Sequence, residues 1–132
     1  MYLDYATYQA MGGTLPEADV LPKLREASDT IDTLTFNRIT ALGWDRLTEF
    51  QREKVSAACF HQAEFLFENA DAVQSAMTEY SINGVTMKFG NAALYTLRSG
   101  VPVDNMAWSL LKQTGLTSRM ATYREVEPYA LP

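Results

Sequence analysis

Cys59 and His61 are the first residues whose chemistry invites a catalytic reading, because a thiol beside an imidazole base is a common arrangement for nucleophilic catalysis. Both lie inside a long helical pattern, where residues two apart point about 200° away from each other. They cannot meet within one chain, and they read as a core cysteine and a solvated histidine. His61 and Glu64 do share a helical face, and with Glu68 they form a conceivable metal-ligand set. Di-iron bundles need Glu-x-x-His on two helices plus further carboxylates, whereas here the order is reversed and occurs once. Gly12, Gly13, Gly43, Gly84, Gly90, Gly100 and Gly115 each have a turn or cap reading, and none builds a phosphate-binding loop. The expectation is a protein with no catalytic residue, no metal ligand and no cofactor.

The element that positions these residues runs from Thr48 to about Met77, with no Pro or Gly inside it. At about 1.5 Å per residue such a helix spans roughly 45 Å. Thr48 and Gln51 have the S/T-x-x-E/Q form of a capping box, which marks its start. Placing residues about 100° apart puts Val55, Cys59, Leu66, Ala70, Val73 and Met77 on one stripe, flanked by Ala58 and Phe65 on one side and Phe60 and Phe67 on the other. His61, Glu64, Glu68, Asp71 and Ser75 make the narrow polar edge. A helix this apolar has to be covered on more than one side, by the rest of the chain or by a neighbouring copy.

With 132 residues the chain is expected to form one domain, 1–132, with residues 117–132 as a flexible tail. The apolar fraction of 47%, with 7 Tyr and 6 Phe, argues for a folded chain. Net charge is -5, and no run of Lys or Arg is present that would neutralise several phosphates together, so gripping nucleic acid or an anionic membrane is not expected. No stretch of about 18 apolar residues exists, and the N-terminus lacks the basic and apolar regions of a signal peptide. The single cysteine has no internal partner. These features point to synthesis in a reducing cytosol.

Taken in order, Asp4 caps a short helix that Gly12 and Gly13 stop, and Thr14-Leu15-Pro16-Glu17 forms a second capping box. The helix it opens runs toward Phe36 through Leu21, Leu24, Ala27, Ile31 and Leu34, with a turn expected before Pro22 and continuous helix after it. Residues 37–47 read as a loop in which Trp44 is partly buried, and Tyr2, Tyr5 and Tyr8 as local packing or part of an interface. Asn83-Gly84 is a type I′ turn signal, and it sets Tyr80, Ile82, Val85, Met87 and Phe89 on one face of a hairpin. Asn91 to Ser99 reads as a short helical segment. Asp104 caps a further helix carrying Met106, Trp108, Leu110 and Leu111, with Gly115 at its C′ position and Leu116 touching Leu111.

Several strings in this order resemble the head-tail connector (adaptor, or head completion) proteins of tailed bacteriophages and prophages. They are Tyr2-Leu3 through Met11-Gly12-Gly13-Thr14, then Ile31-Asp32-Thr33-Leu34-Thr35-Phe36-Asn37-Arg38-Ile39. Tyr80-Ser81-Ile82-Asn83-Gly84-Val85 follows a long helix, and Leu110-Leu111 leads to Thr114-Gly115-Leu116. Many relatives follow Thr-Gly-Leu closely with Tyr-Arg-Gly; here Thr117-Ser118-Arg119-Met120-Ala121 intervenes before Tyr123-Arg124-Glu125.

The resemblance implies a virion structural protein, with no enzymatic role, made in the bacterial host cytoplasm and placed at the head-tail neck. It implies a homo-oligomeric ring of about a dozen copies. That ring would sit on the portal protein, extend the channel for passing DNA, meet a stopper or tail-side neck protein, and touch no membrane. The fold expected is mainly α: a small helical bundle around one long central helix, with a β-hairpin insertion and an extended C-terminal tail. Tyr80, Ile82, Asn83, Gly84, Val85, Met87, Phe89, Met120, Tyr123 and Tyr129 are the expected subunit or partner contacts. Glu64, Glu68 and Asp71 form either a solvated face or an acidic channel lining. The alternatives are another neck or tail-completion protein, or a small helical regulator binding a host protein or nucleic acid.

Overall fold

In the computed structural model, which describes residues 1–71, 95–98 and 101–118, the Thr48 hydroxyl accepts the Gln51 N–H and the Gln51 side chain accepts the Thr48 N–H, each at 3.0 Å. These reciprocal bonds satisfy two donors that a helix start leaves unpaired. They launch the central helix α4, Glu49–Glu68. It is preceded by α1, Tyr5–Ala10, α2, Glu17–Leu34, α3, Arg38–Leu42, and a 3-10 turn at Trp44–Arg46. Strands β1, Tyr95–Arg98, and β2, Val101–Asp104, lead into α5, Asn105–Lys112. Among the described residues the chain is mainly helical, as its periodicity dictates.

The wide apolar arc of α4 is covered from within the chain, because α2 packs on one side and α5 on another. Both neighbours run antiparallel to α4. Glu64 meets Thr14 while Cys59 meets Leu24 and Ser28; likewise Gln62 meets Pro102 and Gln51 meets Thr114. Val55, Ala58, Cys59, Ala63, Phe65 and Leu66 are buried against Leu24, Ala27, Ile31, Val103, Ala107 and Leu111 in one core cluster. Each fully buried Leu or Ile contributes about 1.5–3 kcal/mol.

Several expectations are corrected. The central helix does not continue unbroken to Met77. The Asn69 N–H and side-chain amide both donate to the Phe65 carbonyl, and φ -118° with ψ 32° at Asn69 ends α4 at Glu68. The backbone is helical again at Ala70 and Asp71. Phe67 and Ala70, expected on the buried stripe or its flank, are exposed.

Thr14 does not cap α2. Pro16 occupies the N-cap position without a side-chain bond, and α2 runs straight through Pro22. Pro22 is the sixth residue of the helix, so a single intrahelical bond, to the Ala18 carbonyl, is forfeited. The segment 37–47 is not a plain loop, since α3 and the 3-10 turn fill it, separated by Gly43 at φ +96°. Trp44 is half-buried, as expected.

The segment expected to be helical before Gly100 is instead a strand. Tyr95 and Thr96 belong to the β-branched and aromatic classes that favour strands, and they pair with Asp104 and Val103 of β2 in an antiparallel ribbon. The link between Arg98 and Val101 is two residues long, which ties this ribbon locally. In α5 the Asp104 carboxylate accepts the Ala107 N–H at 3.1 Å as expected. The helix ends at Gln113, so Gly115 falls two residues past the cap and not at C′. Its φ of +78° turns the chain so that Leu116 re-enters the core. The hairpin expected at Tyr80 to Phe89 and the tail beyond Ser118 lie outside the described residues.

Candidate functional site

Two residues on α4 organise the structure around the expected acidic edge. The Glu64 carboxylate accepts the Tyr8 phenol, the Thr14 N–H at 3.1 Å and the Thr14 hydroxyl at 3.0 Å. Tyr8 is buried, its ring lies tilted against Phe60, and its oxygen accepts the Leu15 N–H at 3.0 Å. Burial, and then the bond to Glu64, pushes its pKa up to about 12. Glu64 is thus engaged in holding α1 and the start of α2 onto α4. Glu68 and Asp71 are exposed.

Gln62, which carries no obvious signal of function, is buried. Its amide donates to the Pro102 carbonyl at 3.0 Å and its Oε1 accepts the Asp104 N–H at 2.9 Å. A two-stranded ribbon is marginal in water, and this side chain fastens β2 to the core. The Asp104 carboxyl is itself pushed above its ordinary pKa by burial, opposed by the Ala107 N–H and by nearby His61.

Cys59 and His61 are kept apart as the helical geometry requires. The Cys59 sulfur is buried 3.6 Å from the Ser28 hydroxyl, and burial raises its thiol to about 11. His61 is half-buried and edge-on to Phe60. Among the described residues no group of three His, Cys, Asp or Glu side chains is gathered where it could hold a metal ion.

A cleft of about 480 Å³ opens between the N-terminus, α2 and the α3 segment, walled by Tyr2, Arg25, Asp29, Asp32, Thr40 and Trp44. Tyr2 stacks on Trp44 with ring centres 5.5 Å apart and donates its phenolic proton to Asp32. Burial and the Asp32 contact raise the Tyr2 pKa to about 12. The Tyr2 N–H also donates to Ser28, and its carbonyl accepts the Ser56 hydroxyl. These bonds stitch the N-terminal segment to both long helices and leave the Asp32 carboxylate occupied.

Among the exposed large apolar side chains, which also include Met1 and Met106, three lie at one end of the α2–α4 pair and three at the other. Met11, Leu21 and Phe67 lie at one end, and Phe36, Leu42 and Phe50 at the other. Phe36 and Phe50 each carry a cation over the ring: the Arg38 guanidinium carbon at 4.8 Å and the Lys54 nitrogen at 5.3 Å from the ring centres. Phe36 also has φ +57° and Asn37 φ +58°, a left-handed pair that is costly for a bulky aromatic.

Of the residues expected at subunit or partner contacts, Tyr80, Ile82, Asn83, Gly84, Val85, Met87, Phe89, Met120, Tyr123 and Tyr129 lie outside the described residues. Sequence reasoning missed Gln62, although Val55, Cys59, Gln62 and Leu66 follow one 4-3-4 stripe that marks it as inward-facing. It missed the Tyr8–Glu64 and Tyr2–Asp32 contacts as well, and no local pattern announces them. No helix among the described residues is long and apolar enough to cross a membrane. In comparisons of the chain with protein-family models, with curated proteins and with solved structures, nothing matches.

Proposed function

We propose that this chain is a structural subunit of the head-tail neck of a tailed bacteriophage or prophage. In this reading copies form a ring on the portal vertex, continue the DNA channel and seat a stopper or tail-side protein. The observation that carries the reading is the placement of exposed apolar side chains at both ends of one rigid antiparallel helix pair, with Met11, Leu21 and Phe67 opposite Phe36, Leu42 and Phe50. A subunit that bridges two partners needs an adhesive surface at each end, and exposed aromatic and aliphatic side chains are the usual core of such contacts. The order of sequence strings that resemble those of connector proteins supports the same assignment.

In this proposal the work of the protein is assembly, not catalysis. Its acidic balance, -5 over the chain, keeps passing DNA from adhering through phosphate contacts. Deleting the gene in the source phage or prophage and imaging the induced lysate tests the reading. Separate filled capsids and free tails are expected, restored to whole particles by the gene in trans; normal infectious particles would overturn it.

A further inference from the structure

Phe36 stands where a helix ending of its type places glycine. The Asn37 N–H donates to the Asp32 carbonyl at 2.8 Å and the Phe36 N–H to the Thr33 carbonyl at 3.3 Å, the two bonds of a Schellman motif that closes α2. Phe36 is the C′ residue of that motif, at φ +57°, a conformation that Gly adopts freely and an aromatic residue does not. Its side chain is 46% exposed, so burial within its own chain does not account for the strain. A residue unfavourable to the monomer in two ways, backbone strain and exposed apolar surface, fits a contact made outside the monomer.

Charge says what that contact is with. At this end the Arg38 guanidinium lies over the Phe36 ring and the Lys54 ammonium over the Phe50 ring, and neither has a carboxylate within ion-pair distance among the described residues. Residues 36–54, which carry Phe36, Leu42 and Phe50, hold four cations and three carboxylates. The opposite end has the reverse character. Residues 11–22 and 62–71, which carry Met11, Leu21 and Phe67, hold five carboxylates and no Lys or Arg. Of these, Glu17, Glu68 and Asp71 are exposed. One end of the helix pair is thus aromatic and cationic, and the other aliphatic, aromatic and acidic, which makes the two ends complementary to each other.

We infer that the Phe36–Phe50 end of one copy docks on the Met11–Phe67 end of a second copy, the two rings packing against Leu21 and Phe67 while Arg38 and Lys54 face Glu17, Glu68 and Asp71. The contact joins unlike surfaces, so it repeats from copy to copy and either closes into a ring or runs on as a filament. As the way in which the ring of the proposed function is held together, the inference rests on that reading. The contact itself is read on the purified protein, so its failure leaves the gene-deletion result standing, and a normal lysate leaves the contact standing.

The test is sedimentation velocity of the full-length protein up to about 100 µM at low and high salt. Oligomers that dissociate as salt rises are expected. Glu68→Lys with Asp71→Lys in one variant, and Arg46→Glu with Lys54→Glu in another, should each weaken association at least about tenfold. Arg38 is left in place because its guanidinium donates to the Leu116 carbonyl. Mixing the two variants should restore association, because each then presents the end that the other lacks, and this also shows that both are folded. Phe36→Gly should weaken association as well, while the urea midpoint of its monomer equals or exceeds that of the parent. A parent that stays monomeric overturns the inference. So do charge reversals that leave association unchanged, a mixture that stays monomeric, or a Phe36→Gly monomer less stable than the parent.

Discussion

Tyr8 and Glu64, fifty-six residues apart, are joined by a phenol-to-carboxylate hydrogen bond that fixes α1 against the C-terminal part of the central helix. Glu64 receives two further bonds from Thr14, so one carboxylate organises the whole N-terminal connection. Glu64→Ala removes the acceptor for all three donors. The buried Tyr8 hydroxyl loses most, while water can replace the carboxylate at the exposed Thr14. A loss of about 1–3 kcal/mol is expected from the urea midpoint. Glu68→Gln with Asp71→Gln, both at exposed positions, should stay within about 0.5 kcal/mol of the parent. Equal stability of all three proteins would remove the clamp.

Gln62 offers a sharper test, because both of its partners are backbone groups. Gln62→Leu keeps the volume close but leaves the Pro102 carbonyl and the Asp104 N–H without their partner. Each buried orphan costs about 1–3 kcal/mol. Hydrogen exchange at the Asp104 amide should accelerate by more than the global loss of stability explains, since β2 loses its tether before the helices separate. If exchange there simply tracks global unfolding, Gln62 does not fasten the ribbon.

The helices were legible because they depend on neighbours in sequence. Thr48 with Gln51, Asp4 with Thr7 and Asp104 with Ala107 are caps written within four residues, and all three form. The core face of α4 was legible for the same reason, through Val55, Cys59 and Leu66. The readings that failed did so for different reasons, and at Thr14 the reason was a distant partner. Thr14 has the pattern of a cap, but its hydroxyl and N–H both donate to the distant Glu64 carboxylate, and Pro16 takes the N-cap position. Tyr95 to Arg98 pairs across a two-residue link with Val101 to Asp104, a local pairing that the helical reading of Asn91 to Ser99 passed over. Asn69 ends the central helix through its own side chain, in a run where neither Pro nor Gly warns of a stop. For the proposed site, the aromatic and cationic pairs at Phe36 and Phe50 rest on i,i+2 and i,i+4 neighbours, yet their exposure is a tertiary fact.

Alkaline pH should destabilise the protein in a defined window. The Cys59 thiol is raised from 9.0 to about 11, and the Tyr2 and Tyr8 phenols from 10.0 to about 12, by burial first in each case. The folded state therefore holds these protons more tightly than the unfolded state. Its stability is full below about pH 9 and declines as pH rises, first through the cysteine range and then through the tyrosine range. Urea midpoints should hold level up to about pH 9 and then fall steadily toward pH 11. Tyr8→Phe, less stable at neutral pH, should show a shallower decline; a parallel decline would mean that Tyr8 does not titrate with unfolding.

Gly12 and Gly13 look alike in sequence but resist substitution for different reasons. Gly12 has φ +89° with open space where a side-chain methyl would sit, so its requirement is backbone conformation alone. A side chain at Gly13 would meet the Tyr8 ring at 2.1 Å, so its requirement is room. Gly12→Asn, which tolerates the left-handed region better than other side chains, should cost less than Gly12→Val. At Gly13 that ranking has no basis: Gly13→Ala should already be destabilising by about 1–3 kcal/mol or more, because the methyl displaces the ring that carries the bond to Glu64. The pairing with Glu64→Ala separates packing from hydrogen bonding. Once the clamp is gone the Tyr8 ring is freer to move, so Gly13→Ala should cost less in that background than in the parent. Strictly additive urea midpoints would show that Gly13 and Glu64 act independently, contrary to a shared dependence on Tyr8.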